Sequence, residues 1–147
     1  MSETRKGTID QLQQAIVDRL AQDEALSEIS VFYESTKDLV SQIETALGSL
    51  KGLCIVVTPP ISKVSNGNLP GPYFDAQIEV NIPENVLINM GPSGTGKTAS
   101  EIAELIAKRL HHFNTTHGRV LIVTGILPVA DPEYRLYRVT VKTGFGI

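Results

Sequence analysis

Apolar residues recur at every third or fourth position in three stretches of the chain, a spacing that predicts amphipathic helices. The stretches cover residues 9–20, 39–50 and 99–113, and a capping box at Thr8-Ile9-Asp10-Gln11 opens the first. The second is expected to end near Gly48 or Gly52. The apolar positions of the first two stretches are Ile9, Leu12, Ile16 and Leu20, on one face, and Leu39, Ile43, Leu47 and Leu50, at helical spacing. In the third stretch Ala99, Ile102, Ala103, Ile106, Leu110 and Phe113 are predicted to form the buried face of a long helix.

Strict alternation of apolar and polar residues predicts a strand with one wet face in "FDAQIEVNI". Ala76, Ile78, Val80 and Ile82 form one face, and Asp75, Gln77, Glu79 and Asn81 form the other. Further strands are predicted in Ile29–Glu34, in "LCIVV", and in "RVLIVTGIL" and "YRLYRVTVK", which make a hairpin around the turn "PVADPE". "ENVLINM" is predicted to continue the alternating strand past Pro83.

Turn residues are dense in "ISKVSNGNLPGP", which includes Asn66-Gly67 and Pro70-Gly71 and predicts a hairpin or a surface loop. Together the elements predict an α+β fold. A mostly antiparallel sheet of four to five strands packs against the long amphipathic helix, with helices at the N-terminus. The length of 147 residues predicts a single domain, residues 1–147, with residues 1–7 flexible.

Composition narrows the class of protein. The formal charge is −3 and no block of Lys and Arg occurs, so nucleic acid is not predicted as a direct ligand. The single cysteine, Cys54, lies in an apolar run and is predicted to be a buried strand thiol in a reducing compartment. No apolar stretch has the length of a signal peptide or a membrane span, which predicts a protein that is neither exported nor embedded in a membrane.

The stretch "NMGPSGTGKTAS" contains a full match to G-x-x-x-x-G-K-[ST], the loop in which backbone N–H groups hold phosphates. The residues of this candidate site are Gly91, Gly94, Gly96, Lys97 and Thr98. A working loop of this kind follows a buried strand of a parallel sheet and needs a carboxylate at the end of another apolar strand for Mg²⁺. Here Thr124 follows "VLIV", Thr58 follows "LCIVV", and Asp131 is predicted to lie in a turn.

The same letters also have a purely structural interpretation. Thr98-Ala99-Ser100-Glu101 is a second capping box, and the glycines then form a connection into the helix. Under this interpretation the chain binds no cofactor. The alternative is a small nucleotide-binding protein that uses Gly91 to Thr98, and the sequence leaves both open.

No other stretch of the sequence predicts a catalytic or metal-binding site. His111, His112 and His117 cluster at the end of the long helix, where cationic side chains interact favourably with the helix dipole, and no Cys or carboxylate completes a metal site. Ser93 and Ser100 lack the setting of a nucleophile, and no acid–base pair stands out. The sequence predicts no catalytic residues and no enzyme.

The order of elements resembles the tail-terminator class of tailed bacteriophages and its prophage relatives, small α+β proteins that form rings in the tail and neck. The resemblance is one of layout and covers nearly the whole chain. It runs through "TIDQLQQAIVDRL", "GLCIVVTPP", "YFDAQIEVNIPENV", "TASEIAELIAKRLHHF" and "YRLYRVTVKTG".

The resemblance implies a structural role, in which the protein caps or joins a tail tube as a homo-oligomeric ring and contacts other tail or neck proteins. It implies assembly in the host cytoplasm and a final place in the virion, with no catalytic residues. The predicted sheet agrees with this role, because a helix on one face leaves the other face and the turn-rich segment after Pro59 free for neighbouring copies.

Overall fold

The computed structural model describes residues 8–33, 36–65, 73–115 and 120–146. Within these ranges the chain forms four α-helices, six strands and a 3₁₀ turn at Glu24–Leu26. The helices are α1 (Thr8–Ala21), α2 (Leu39–Ser49), α3 (Val86–Asn89) and α4 (Ala99–Leu110). The strands are β1 (Ser30–Tyr33), β2 (Cys54–Val57), β3 (Ile61–Val64), β4 (Tyr73–Glu84), β5 (Ile122–Val129) and β6 (Arg135–Gly146). The predicted α+β class is confirmed.

The six strands form one sheet in the order β1-β2-β4-β6-β5, and β3 also pairs with β4. β4 and β6 pair antiparallel over their full lengths, from Tyr73 opposite Gly146 to Glu84 opposite Arg135. β5 and β6 form the predicted antiparallel hairpin. β1 and β2 are parallel, so the sheet is mixed with antiparallel pairs in the majority.

The alternation in β4 places its apolar side chains in the core as predicted, since Ala76, Ile78, Val80 and Ile82 are all buried. α1 and α4 pack on this face of the sheet. The residues that they bury there are Leu12, Ile16 and Leu20 from α1, and Ala99, Ile102, Ala103, Ile106 and Leu110 from α4. The long helix therefore has the predicted buried face, and Phe113 packs partly buried beyond its end.

α2 packs on the opposite face, over β1 and β2, and also contacts α3. Ala46 and Leu47 form a second apolar cluster with Cys54, whereas the next residue, Ile55, faces the main core. The rest of that opposite face, formed by β3, β4, β6 and β5, carries no helix from the described part of the chain. We call it the open sheet face.

One predicted strand segment is wrong. β4 ends at Glu84, and residues 86–89 form the single helical turn α3 instead of extending the strand. Asn85 has extended backbone angles, and its side chain accepts a hydrogen bond from the Ile88 N–H at 3.5 Å. This Asn cap favours a helical turn over continued strand pairing.

Other predictions lie partly outside the described residues. The turn pairs Asn66-Gly67 and Pro70-Gly71 are outside them, as are Glu34, His117 and residues 1–7. The structure describes residues 61–65 of the turn-rich segment, and Ile61–Val64 among them form strand β3. The hairpin turn is shorter than predicted, because β5 continues through Pro128 to Val129.

Candidate functional site

The glycine-rich segment Gly91–Thr98 connects α3 to α4. The strand before it, β4, is antiparallel to its neighbours β2, β3 and β6, and the helical turn α3 separates the strand from the loop. A phosphate-binding loop instead follows directly on a parallel strand. The sequence match is therefore set in a different framework.

Asn89 organises this loop from a position with no solvent exposure. Its side-chain amide donates to the Lys97 carbonyl oxygen at 2.7 Å. Its side-chain oxygen accepts from the backbone N–H and the hydroxyl of Thr95, at 3.1 Å and 2.5 Å. The Thr95 hydroxyl in turn accepts from the Lys97 N–H at 3.1 Å. The loop thus folds around one buried amide side chain and presents these polar groups inward.

Glu84, the last residue of β4, lies beneath the start of α4 with 1% of its surface exposed. One of its carboxylate oxygens accepts from the backbone N–H of Ala99, the first residue of α4, at 3.1 Å. The other accepts from the Asn89 side-chain amide at 2.6 Å. A helix N-terminus favours an anion because its N–H groups are unpaired and carry partial positive charge. In this protein the chain's own carboxylate already lies there.

Thr98 is the N-cap of α4, and the predicted capping box is present. Its hydroxyl accepts from the Glu101 N–H at 3.2 Å, and the Glu101 carboxylate accepts from the Thr98 N–H at 3.5 Å. The Thr98 hydroxyl also lies 2.9 Å from that of Ser100. This hydroxyl is engaged in capping the N-terminus of α4, whereas the nucleotide interpretation needs it on a metal ion.

Lys97 extends away from the loop, and its ammonium donates to the carbonyl oxygen of Ala25 at 3.4 Å, in the turn after α1. The local structure of the loop explains why each of its three glycines is a glycine. A Cβ on Gly94 would overlap the backbone of Asn89, and a Cβ on Gly91 would lie 3.1 Å from the Leu87 carbonyl oxygen. Gly96 has a φ of 73°, which side chains rarely allow. All five predicted site residues therefore have a role in shaping the loop.

His111 and His112 follow α4, and their rings stack with centroids 4.0 Å apart. Nδ1 of His111 accepts from the Val123 N–H at 3.1 Å, which joins the helix end to strand β5. No group of three His, Cys, Asp or Glu side chains comes together as a metal site in residues 8–33, 36–65, 73–115 and 120–146.

Two other residues lie where the sequence predicted. Cys54 is buried, and burial raises the pKa of its thiol to about 12. Asp131 lies in the β5–β6 turn and accepts from the N–H groups of Glu133 and Tyr134, both at 2.9 Å. These two hydrogen bonds lower the pKa of the Asp131 carboxyl.

Glu84 is a feature that the sequence prediction missed, whereas a sheet face left free by the helices on the other face was predicted. A signal for Glu84 was present, because the period-two pattern of β4 places residue 84 on the same face as Ile82. The open sheet face contains a broad groove of about 750 Å³, lined among others by Ile61, Asp75, Gln77, Ile122 and Lys142. Next to it Arg138 bridges Glu79 at 3.3 Å and Asn81 at 2.9 Å.

Comparison with known proteins gives a match in structure only. No family model matches the chain, and no curated protein matches it in sequence. A chain from the virion of a native gene transfer agent (GTA) particle superposes with a TM-score of 0.68 at 15% identity, over 96% of this chain and 98% of that one. A second solved chain aligns over 94% of this chain and 92% of its own, with a TM-score of 0.55 and 8% identity. The fold is shared over nearly the whole length of all three chains.

None of the helices in the described ranges is long and apolar enough to cross a membrane.

Proposed function

We propose that this protein is a structural, non-enzymatic component of a phage or prophage particle, of the tail-terminator or head–tail joining type. In this role it forms a homo-oligomeric ring on the tail tube and contacts other tail or neck proteins. Assembly takes place in the host cytoplasm, and the ring then remains in the virion.

The observation that carries the proposal is the fold shared with a chain of the GTA virion particle, which spans 96% of this chain and 98% of the other. A match over both full lengths means that no large domain has to be added or removed to relate the two. The helix and strand order that resembles tail-terminator proteins supports the same particle class.

The sheet supplies a second reason. α1 and α4 cover one face, whereas the open sheet face, formed by β3, β4, β6 and β5, carries no helix from the residues that the structure describes. Apolar side chains are exposed on it, with Ile61 on β3 and Ile122 on β5 both more than one third accessible. Exposed apolar surface of this kind is typical of surfaces that bind protein partners.

The glycine-rich loop supports a structural role better than nucleotide binding. A bound phosphate would have to displace the Glu84 carboxylate from the Ala99 N–H or lie beside it as a second negative charge. Lys97 and Thr98 already contact other parts of the chain. No contact within the loop therefore favours the nucleotide alternative.

The oligomeric state of the full chain tests the ring. Its mass would be measured by light scattering over a range of protein concentrations, alone and after co-expression with the tail-tube protein from the same gene cluster. Negative-stain images of the same samples would show the form of the assembly. We expect a closed ring in at least the co-expressed sample, and a monomer under both conditions would contradict the proposal.

A further inference from the structure

The turn α3 exposes large apolar side chains at one end of the sheet. Val86, Leu87 and Met90 are 44%, 87% and 45% accessible, and we call these three residues the α3 knob. Leu50, exposed at the end of α2, lies two residues before Gly52, whose backbone packs closely on Ile88 and Asn89. A group of apolar side chains on one surface, rather than a single exposed one, calls for an explanation.

The knob has a fixed position. Asn85 caps α3 from one side, and Asn89, with no exposure, anchors its other end through Glu84 and the Lys97 carbonyl oxygen. The Asn85 N–H also donates to the Gly52 carbonyl oxygen at 2.7 Å. A surface feature supported by a buried polar network is pre-organised for contact, which reduces the entropy lost on binding.

The groove on the open sheet face is a partly apolar counterpart at the other end of the sheet, with charged and polar side chains also in its lining. Ile61, opposite Gln77, borders it on β3, and Val120 and Ile122 border it at the start of β5. Between them Gly144 contributes no side chain to the floor. The volume of about 750 Å³ accommodates several aliphatic side chains. The knob is convex and the groove is concave.

The knob and the groove cannot meet within one chain. The groove involves Gln77 near the start of β4, whereas the knob follows the end of that strand. The nine residues from Gln77 to Val86 span about 30 Å at the rise of an extended strand. Two copies arranged head to tail bring the knob of one against the groove of the next, and repetition of such a contact closes a ring when the rotation permits it.

The charges beside the two surfaces agree with this arrangement. Glu84 at the end of β4 lies opposite Arg135 at the start of β6, so the β5–β6 turn lies at the same end of the sheet as the knob. Asp131 and Glu133 in this turn are exposed. Arg135 at that end lies over its own Tyr137 ring at 5.4 Å, and Lys51 near Gly52 is half-buried.

The groove holds two lysines, Lys63 and Lys142, against one acid, Asp75. In a head-to-tail arrangement the two exposed carboxylates of the β5–β6 turn, Asp131 and Glu133, therefore face an excess of positive charge at the groove.

We propose that the α3 knob of one copy occupies the groove of the next copy, with the β5–β6 turn placed against Lys63 and Lys142. The inference rests on the proposed ring and specifies its interface. The glycine-rich loop then has a mechanical purpose, because Asn89 and the glycines around it fix the position of the knob.

Cysteine cross-linking tests the contact, using the full chain in the oligomerising condition. Two single variants, Leu87→Cys and Ile61→Cys, are mixed and oxidised mildly; Ile61 is 57% exposed and faces the groove. Cys54 does not interfere, because it is buried and is the only native cysteine. The matched control replaces Ile61→Cys with Val40→Cys, since Val40 is 70% exposed but lies at the far end of α2 from Leu50.

We expect a disulfide-linked dimer from the mixture of Leu87→Cys and Ile61→Cys, and none from the control mixture. The double variant Leu87→Cys/Ile61→Cys should give a ladder of linked copies that ends at the ring. A yield no higher than that of the Val40→Cys control would overturn the proposed interface.

Substitution by Asp separates this inference from the proposed function. Leu87→Asp should lose the oligomer and run as a monomer, whereas Val40→Asp should keep it. If the wild-type ring forms and Leu87→Asp leaves it intact, the knob interface is wrong and the ring stands. If the wild-type chain never forms an oligomer, the proposed function and the interface both fail.

Discussion

At the residue scale, Glu84 is the side chain that occupies the helix N-terminus beside the glycine-rich loop, where a phosphate would otherwise bind. Its carboxylate is almost fully buried, and each of its two oxygens accepts a hydrogen bond, one from Ala99 and one from Asn89. Burial of a carboxylate is tolerated only with such partners. The N-terminus of α4 thus receives a carboxylate from within the chain.

We expect no binding of ATP or GTP, with or without Mg²⁺, at physiological nucleotide concentrations. The phosphates would compete with Glu84 for the same helix N-terminus and be repelled by its charge. Isothermal titration calorimetry on the wild-type chain and on Lys97→Ala should give the same flat trace. Micromolar binding that Lys97→Ala abolishes would show that the loop opens to phosphate.

The sequence predicted some of these residues and not others, for a physical reason. The Thr98–Glu101 capping box is a local contact with a fixed spacing, and it was predicted correctly. The contacts of Glu84 cross five residues to Asn89 and fifteen to Ala99, so they depend on the path of the chain. The alternation of β4 places residue 84 on the buried face. A buried Glu was nevertheless not predicted, because carboxylates are far more often exposed than buried.

At the element scale, several local interactions stabilise helix α4, which follows the glycine-rich loop. The helix has its cap, an acidic residue in its first turn and basic residues in its last turn, all of which favour it. Its apolar stripe lies against the main core.

We expect Thr98→Ala to lower the free energy of unfolding by about 1 kcal/mol, because the Glu101 N–H loses its acceptor. Urea unfolding followed by circular dichroism would measure the loss. Ser93→Ala is the matched control, since Ser93 is an exposed loop residue and its removal should leave the midpoint unchanged. Equal midpoints for Thr98→Ala and wild type would show that this cap adds nothing to stability.

Gly94→Ala should destabilise the chain by about 1–3 kcal/mol, since its Cβ overlaps the Asn89 backbone and forces the loop to shift. Gly48→Ala in α2 has no atom within 4 Å of the new Cβ. That variant should be more stable than wild type by about 0.5 kcal/mol, because alanine restricts the unfolded chain. The order of the two unfolding midpoints checks the argument, and a Gly94→Ala variant as stable as Gly48→Ala would contradict it.

The elements with long periodic patterns were predicted from sequence, whereas the short ones depended on their surroundings. β4 and α4 have unbroken periods of two and 3.6 residues, and both were found close to their predicted positions. α3 has only four residues, and the letters "VLIN" suit a strand as well as a helix. The parallel pairing of β1 with β2 requires contacts across the α2 crossover, about which the local pattern holds no information.

At the scale of the whole molecule, the two ends of β4 differ. One end leads into the α3 knob and the other borders the groove, so that the chain has a convex and a concave apolar surface about one strand length apart. A molecule with such polarity is suited to head-to-tail assembly. The face covered by α1 and α4 supplies the core that holds this geometry.

The central claim, that the chain is a structural part of a particle, can be tested by locating it in assembled particles. The full chain with a C-terminal tag would be co-expressed with the structural genes that flank its own, and purified particles would be labelled with gold against the tag. Negative-stain images should show label at a single position on each particle, at one end of the tail or at the head–tail junction. Particles that assemble normally and carry no label, from cells in which the tagged chain is present and folded, would contradict the account.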